Sequence, residues 1–161
     1  MALRKVVLEG DEVLRKRSKE VKEISGRVLE LIDDMWETLA ERNGVGLAAP
    51  QVGVLKRVAV IDTGEEGERL ELVNPELLET EGSVETEEGC LSLPGFVGTV
   101  ARPRRVKARA LDREGREFVV EGSGLLAKAL CHEIDHLDGV LYTDKATSIR
   151  ALDDEESEEG S

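Results

Sequence analysis

The chain has 161 residues, of which 40% are hydrophobic and 35% are charged, and this predicts a single globular domain rather than a disordered or collagen-like chain. A formal net charge of −13 argues against DNA and against an anionic membrane surface as partners. No apolar run approaches the roughly 18 residues that span a bilayer, and the N-terminus does not resemble a signal peptide, so we expect a cytoplasmic protein.

Helix signals dominate the first part of the chain. Asp11 can cap a short helix near residues 12–16, and apolar residues at helical spacing between Val28 and Leu39 predict a helix over residues 25–42. β-rich runs then follow at 57–61, 70–73, 106–111 and 118–120. Turn signals separate them at 63–64, 74–75, 102–103 and 114–115.

A second helix begins after the glycines of residues 122–124 and ends near Asp138 and Gly139. The order of helices, strands and a final helix predicts an α+β fold, with mostly antiparallel, irregular sheets around the C-terminal helix. We expect residues 1–151 to form one catalytic domain. Residues 152–161 contain six acids and no apolar residue after Leu152, so we predict that they form an acidic, disordered tail.

The predicted C-terminal helix contains a His-Glu-x-x-His motif. His132 and His136, the only two histidines, are four residues apart, so both imidazoles face the same side of the helix and can share a metal ion. Glu133 lies beside them, in a position to exchange a proton with a water molecule at the metal.

A catalytic metal site usually has three protein ligands, so a third must come from elsewhere in the chain. Cys90 is the best donor, because a thiolate binds borderline metals well and the adjacent Gly89 permits a close approach. Cys131 competes for the role, but it lies about 100° around the helix from His132 and is expected to pack in the core.

Small residues form a third cluster at 44–51, between a predicted helix and a predicted strand. Glycine and alanine would let a substrate backbone run alongside, and Gln51 supplies an amide donor that could polarise a carbonyl group. A glycine-rich turn of this kind is more often purely structural.

Together, the motifs at 44–51, 88–92 and 132–136 closely resemble those of the peptide deformylase family, and the resemblance covers roughly residues 3–145. It implies that Cys90, His132 and His136 bind one divalent metal ion, Fe²⁺ in most members with Zn²⁺ or other ions as substitutes. It also implies that Glu133 is the general acid and base.

The resemblance further implies that Gln51 and the Leu91 amide form an oxyanion hole. The substrate-binding residues it suggests lie in the glycine cluster, beside Cys90 and at the front of the last helix: Gly44, Val45, Gly46, Gly89, Leu125 and Ala129. Leu125 and Ala129 could equally be plain core residues.

The implied activity is removal of the formyl group from N-formylmethionine at the start of newly made polypeptides in the bacterial cytoplasm, with release of formate. The negative charge makes any ribosome contact transient or confined to the basic stretch 102–109, which could also be a solvated face. The alternative is a small zinc metalloprotease of the His-Glu-x-x-His type. Such an enzyme would take its third ligand downstream, from Asp138, Asp144 or the tail residue Glu156.

Overall fold

A computed structural model describes residues 2–152 of the chain. Its three α-helices are α1 (Gly26–Arg42), α2 (Gly124–Leu137) and α3 (Tyr142–Lys145). Its eight strands are β1 (Gly46–Ala48), β2 (Val58–Asp62), β3 (Arg69–Glu81), β4 (Val84–Cys90), β5 (Leu93–Arg102), β6 (Arg105–Leu111), β7 (Glu117–Ser123) and β8 (Ser148–Ala151). Two 3-10 helical turns, Glu12–Arg15 and Ala49–Val52, complete the order.

Both predicted N-terminal helices are present. The one near residues 12–16 is a 3-10 turn, in which the Asp11 carboxylate accepts a hydrogen bond from the Val13 amide at 3.0 Å. Helix α1 begins after Ser25, whose carbonyl oxygen, rather than its hydroxyl, accepts the first helical hydrogen bonds. It ends at Asn43, which adopts a left-handed conformation with φ of 54°.

A five-stranded antiparallel sheet in the order β1-β2-β3-β6-β7 separates α1 from α2. Successive side chains of a strand point to opposite faces. In β2, Val58 and Val60 therefore pack in the cluster with α1, whereas Ala59 and Ile61 pack in the cluster with α2. Helix α2, which carries the two histidines, is therefore held in place by packing against an apolar face of the sheet.

A smaller antiparallel sheet in the order β4-β5-β8 lies beside the first. β4 and β5 form a hairpin, and β8 pairs with residues Phe96 to Thr99 of β5. The sequence patterns did not predict these three strands, because β4 is rich in glutamate and β5 contains two glycines and a proline. This sheet presents the end of β4 to α2.

The turn predicted at 74–75 is wrong, because β3 continues through it. Asn74 has a positive φ of 51°, and the pairing of β3 with β6 shifts register there. The Asn74 side chain accepts a hydrogen bond from the Val21 amide and donates one to the Val21 carbonyl, both at 2.8 Å. The residue forms a bulge that binds the segment before α1, and the strand does not reverse.

The α+β class with mostly antiparallel sheets around the C-terminal helix is confirmed. The last described residue, Leu152, donates its amide to the Gly95 carbonyl at 2.8 Å, so it continues the pairing of β8. Residues 153–161, the remainder of the predicted tail, lie outside the described part of the chain. Within residues 2–152, no helix has the length and apolar character needed to cross a membrane.

Candidate active site

Helix α2 places His132 and His136 on one face, as their spacing predicted. Their Nε2 atoms are 3.1 Å apart, and both side chains are buried. The opposite side of the helix is anchored by apolar residues, among them Leu126, Leu130 and Leu137, which pack in the core cluster against the large sheet. The imidazoles are therefore held in place by the packing of the helix that carries them.

Cys90, the last residue of β4, meets the two histidines. Its Sγ lies 3.3 Å from His136 Nε2, and the candidate ligand atoms of Cys90, His132 and His136 all lie within 4.8 Å of one another. A tetrahedral ion with bonds of about 2.0–2.3 Å separates its ligand atoms by roughly 3.3–3.6 Å, so the spacing fits a single ion.

The chemistry of these groups also fits a metal ion. Burial, together with the proximity of His132, lowers the pKa of His136 well below its ordinary value, so this imidazole is neutral. Burial would lower the pKa of His132, but Glu133, Cys90 and Glu88 outweigh it and raise the pKa well above its ordinary value, so a metal bound at Nε2 would displace a proton from this imidazole. Neutral imidazole nitrogens and a cysteine sulfur are donors that borderline transition metals accept.

Cys131 does not join this group. It is buried in the core cluster between α2 and the large sheet, and burial raises the pKa of its thiol to about 11. The thiol is therefore protonated near neutral pH and packs as a small apolar side chain.

Glu88 lies behind His132 and was not singled out from the sequence. Its Oε1 lies 2.7 Å from His132 Nδ1, and its two oxygens accept hydrogen bonds from Arg102 at 2.5 and 2.7 Å. Arg102 also donates to Asp135 of α2 at 2.7 Å. Burial would raise the pKa of Glu88, but the hydrogen bonds from Arg102 and His132 outweigh it and lower the pKa to about 2.

Had β4 been recognised as a strand, one signal would have pointed to Glu88. It precedes Cys90 by two residues in β4, and alternate residues of a strand share a face. The buried carboxylate is therefore expected on the same side as the cysteine. Its partner Arg102, at the far end of the hairpin, could not be recognised, because nothing local links the two positions.

Glu133 lies next to the histidines and is also buried. Burial raises the pKa of its carboxyl group to about 7, and its Oε1 has no hydrogen-bond partner within residues 2–152. Gly46 of β1 passes so close that a Cβ at this position would lie 2.9 Å from Glu133 Cδ and overlap Oε2. The absence of a side chain at Gly46 gives the carboxylate its space.

Gln51 is fixed in the second 3-10 turn with its amide group facing Cys90. Its Oε1 accepts the Ala48 amide at 2.9 Å, while Nε2 donates to the Ser92 hydroxyl at 3.1 Å and lies 3.5 Å from Cys90 Sγ. Because the oxygen is occupied by the backbone, the NH₂ end must point toward the cluster.

A pocket of about 80 Å³ opens onto this group of residues. Its lining contains most of the residues predicted from the sequence, together with Glu88 and Lys128, which were not predicted. The lining residues are Val45, Gly46, Gln51, Glu88, Gly89, Cys90, Leu91, Leu125, Lys128, Ala129, His132 and Glu133. Gly44 does not line it and instead borders a neighbouring groove that also includes Val45.

The downstream acids considered as ligands for the protease alternative are engaged elsewhere. Asp138 pairs with Arg57 at 2.9 Å, and Asp144 pairs with Arg15 at 2.6 Å. Neither belongs to the donor group found within residues 2–152. Glu156 lies outside the described residues.

Three arginines of the basic stretch 102–109 form ion pairs with acidic residues. Arg102 is buried between Glu88 and Asp135, as described above, while Arg105 pairs with Glu121 and Arg109 pairs with Glu76. These ion pairs reduce the positive charge that the stretch offers to a polyanionic partner.

A helix with two histidines and a buried glutamate, facing a cysteine on a neighbouring strand, is the arrangement of a metal-dependent hydrolase. The comparisons with known proteins specify the class. The family model described as polypeptide deformylase matches residues 3–151, and the chain belongs to this family.

Relatives and solved structures agree along nearly the whole chain. The peptide deformylase of Acetivibrio thermocellus is 58% identical over 158 residues, which cover 98% of this chain and 91% of that protein. The crystal structure of a peptide deformylase from Legionella pneumophila is 47% identical with a TM-score of 0.87, and the match covers 91% of this chain and 87% of that one. The crystal structure from Thermotoga maritima is 37% identical with a TM-score of 0.87, covering 92% and 100% of the two chains.

Proposed function

We propose that this chain hydrolyses the formyl group of N-formylmethionyl peptides, releasing formate and a free amino terminus. One observation carries the proposal: the buried carboxylate of Glu133 lies beside a cluster of one cysteine and two histidines at a pocket between two strand edges. Membership of the polypeptide deformylase family supports the same reaction.

Cys90, His132 and His136 would hold a single divalent metal ion, with Fe²⁺ as the native ion and Zn²⁺ able to replace it. When bound, this ion lowers the pKa of a water molecule and polarises a carbonyl oxygen. Glu88 would hold the proton on His132 Nδ1, so that Nε2 is free to act as the ligand atom.

Glu133 moves the proton. It accepts a proton from water as the water oxygen adds to the formyl carbon, and it delivers that proton to the α-nitrogen as the carbon–nitrogen bond breaks. A carboxyl group whose pKa is raised to about 7 by burial can both accept and release a proton near neutral pH.

Gln51 and Leu91 would stabilise the negative charge that develops on the formyl oxygen. Both line the pocket, and the Gln51 NH₂ group faces Cys90. Hydrogen-bond donors that are fixed before the reaction stabilise such charge without the cost of reorganisation.

The peptide would bind in an extended conformation between β1 and β4. Each is an edge strand of its sheet within the described fold, and each contributes a glycine to the pocket, Gly46 and Gly89. Val45, Leu125 and Ala129 would then surround the methionine side chain, while Gly44 would contact the peptide from the neighbouring groove.

The partners would be nascent formylated chains in the bacterial cytoplasm, and residues 1–151 would form a single catalytic domain. Because Arg102, Arg105 and Arg109 are paired with acids, contact with the ribosome through residues 102–109 would be transient.

The test is formate release from formyl-Met-Ala-Ser by protein loaded with Fe²⁺ or Zn²⁺ under argon. Glu133→Ala should retain the metal while its turnover falls by about 10²- to 10⁴-fold. Cys90→Ala should lose the metal, and the matched Cys131→Ala variant should keep it. Cleavage of an internal peptide bond without formate release would contradict the proposal and favour a protease, and equal metal content in wild type and Cys90→Ala would remove Cys90 from the site.

A further inference from the structure

Lys128 is a cation in the pocket wall that has no part in the reaction described above. It lies on α2 between Leu125 and Ala129 and lines the pocket with them. Its Nζ donates to the Glu87 carbonyl oxygen of β4 at 2.9 Å. The lysine therefore spans from the helix to the strand, and its ammonium group is held at the pocket's edge.

This ammonium group retains binding capacity. A lysine has three N–H donors, and the carbonyl of Glu87 occupies one of them. Within residues 2–152, no carboxylate lies within ion-pairing distance of Lys128, and the carboxylate of Glu87, whose carbonyl Lys128 binds, lies 3.5 Å from Arg150. Lys128 thus presents positive charge that the fold does not neutralise.

The carboxylates that line the pocket belong to Glu88 and Glu133, and neither forms an ion pair with Lys128. Glu88 is paired with Arg102, and Glu133 is buried next to the histidines. Among the residues that line the pocket, Lys128 is the lysine or arginine available to a ligand. An anionic group that enters along this wall would meet an unpaired cation.

The geometry of an extended peptide decides which substrate residue meets it. Side chains of an extended chain alternate in direction, so residues one and three point to the same side. If the methionine side chain enters between Leu125 and Ala129, the third residue faces the same helix and the Lys128 ammonium group.

We propose that Lys128 is a specificity-determining residue that selects formylmethionyl peptides with an aspartate or glutamate at the third position over those with a lysine or arginine. The inference rests on the proposed function, because it assumes that formyl-Met occupies the pocket. An exposed ion pair of this kind contributes modestly, so the expected discrimination between acidic and basic peptides is about three- to tenfold in kcat/KM.

The experiment compares kcat/KM for formyl-Met-Ala-Glu, formyl-Met-Ala-Lys and neutral formyl-Met-Ala-Ala with the metal-loaded enzyme. The Glu-to-Lys ratio should be about three to ten for wild type, near one for Lys128→Met, and below one for Lys128→Glu. Lys107→Met, a lysine of β6 outside the pocket lining, makes the same change in net charge and should keep the wild-type ratio. Raising the salt concentration should bring the wild-type ratio toward one.

The outcomes separate the two proposals. No turnover of the neutral peptide would overturn the proposed function, and the dissociation constants of the same peptides for Glu133→Ala would then still report the preference. Turnover of the neutral peptide with a wild-type ratio of one would overturn the inference alone. A preference that survives in both Lys128 variants would show that another group selects the third residue.

Discussion

The carboxylate of Glu88 holds His132 from the side opposite its candidate ligand atom, with Oε1 2.7 Å from Nδ1. An imidazole that donates from Nδ1 leaves a lone pair on Nε2, which is the atom that faces His136. Once Nε2 has lost its proton, Glu88 would therefore hold His132 in the tautomer that a metal needs. Arg102 keeps Glu88 ionised and ties it to Asp135 on the same helix.

Replacing Glu88 should weaken metal binding without removing a ligand. We expect Glu88→Ala to lower metal affinity by about 10- to 100-fold, because His132 loses the group that orients it. Glu88→Gln should recover part of the loss, since its amide oxygen can accept the same hydrogen bond. Competition with a chelator measures the affinity, and ¹⁵N NMR of His132 reports the tautomer.

The matched control for this variant is Glu85→Ala, which changes an exposed glutamate of the same strand. Its metal affinity and its histidine spectrum should equal those of the wild type. An unchanged affinity in Glu88→Ala, with an unchanged His132 tautomer, would show that Glu88 only fills space.

Gly46→Ala should impair catalysis while leaving the metal in place. The added Cβ would overlap the Glu133 carboxylate, which must then move from its position beside the histidines. Because Glu133 would move the proton in the proposed reaction, we expect kcat to fall by at least about tenfold, toward the loss expected when an acid-base group is removed. Gly26→Ala, where a Cβ meets nothing within 4 Å, serves as the control and should retain full activity.

Arg102→Gln should be strongly destabilising. The arginine side chain is 3% exposed and Glu88 is 2% exposed, so the variant leaves a buried carboxylate without its partner. The expected loss in the free energy of unfolding is about 3–5 kcal/mol, measured by urea denaturation. Arg105→Gln removes an exposed ion pair with Glu121 and should barely change the urea midpoint. If the two variants had equal urea midpoints, the prediction that the buried ion pair stabilises the fold more than the exposed one would be wrong.

Glu71 should make stability depend on pH in the acid range. Hydrogen bonds from Arg113 lower the pKa of Glu71 below its ordinary value of 4.5. Burial acts in the opposite direction, and a hydrogen bond from Trp36 lowers the pKa further. A carboxyl group with a lowered pKa in the folded state stabilises the fold above the unfolded pKa, and this contribution is lost as pH falls through the folded pKa.

The stability gap between wild type and Glu71→Gln should therefore narrow as the pH is lowered from about 6 to about 3. Urea midpoints at several pH values measure this gap. Glu85→Gln, at an exposed position without an ion pair within residues 2–152, should show no such trend. If the difference in stability between wild type and Glu71→Gln stays constant with pH, Glu71 acts through packing or hydrogen bonding alone.

Helix α2 and the three motifs could be predicted because their signals are local. The periodicity of the Leu126, Leu130 and Leu137 positions defines the helix, and the spacing of His132 and His136 defines their common face. Cys90 could be proposed by its chemistry, although its position next to His136 depends on the hairpin that ends there.

The hairpin itself and the support behind His132 could not be predicted, because they depend on contacts between distant parts of the chain. The glutamates of β4 oppose its assignment as a strand, yet Glu88 is buried because Arg102 crosses from the neighbouring strand. At Asn74, the asparagine–proline pair typical of a turn instead forms a bulge, because Val21 satisfies its side chain. The role proposed for Lys128 could not be predicted from nearby residues, because its place at the pocket depends on a hydrogen bond to the Glu87 carbonyl in β4.

The donor atoms come from two separate layers of the fold, Cys90 from the small sheet and His132 and His136 from the helix packed on the large one. An ion bound to all three would join positions 42 residues apart, counted from Cys90 to His132, and would act as a reversible cross-link between the layers. Metal supply then becomes a determinant of how easily the protein unfolds, because ligation that favours the folded state adds a free energy that grows with the logarithm of the free ion concentration. Through this link, cells short of the ion would lose the protein to proteolysis as well as to inactivity.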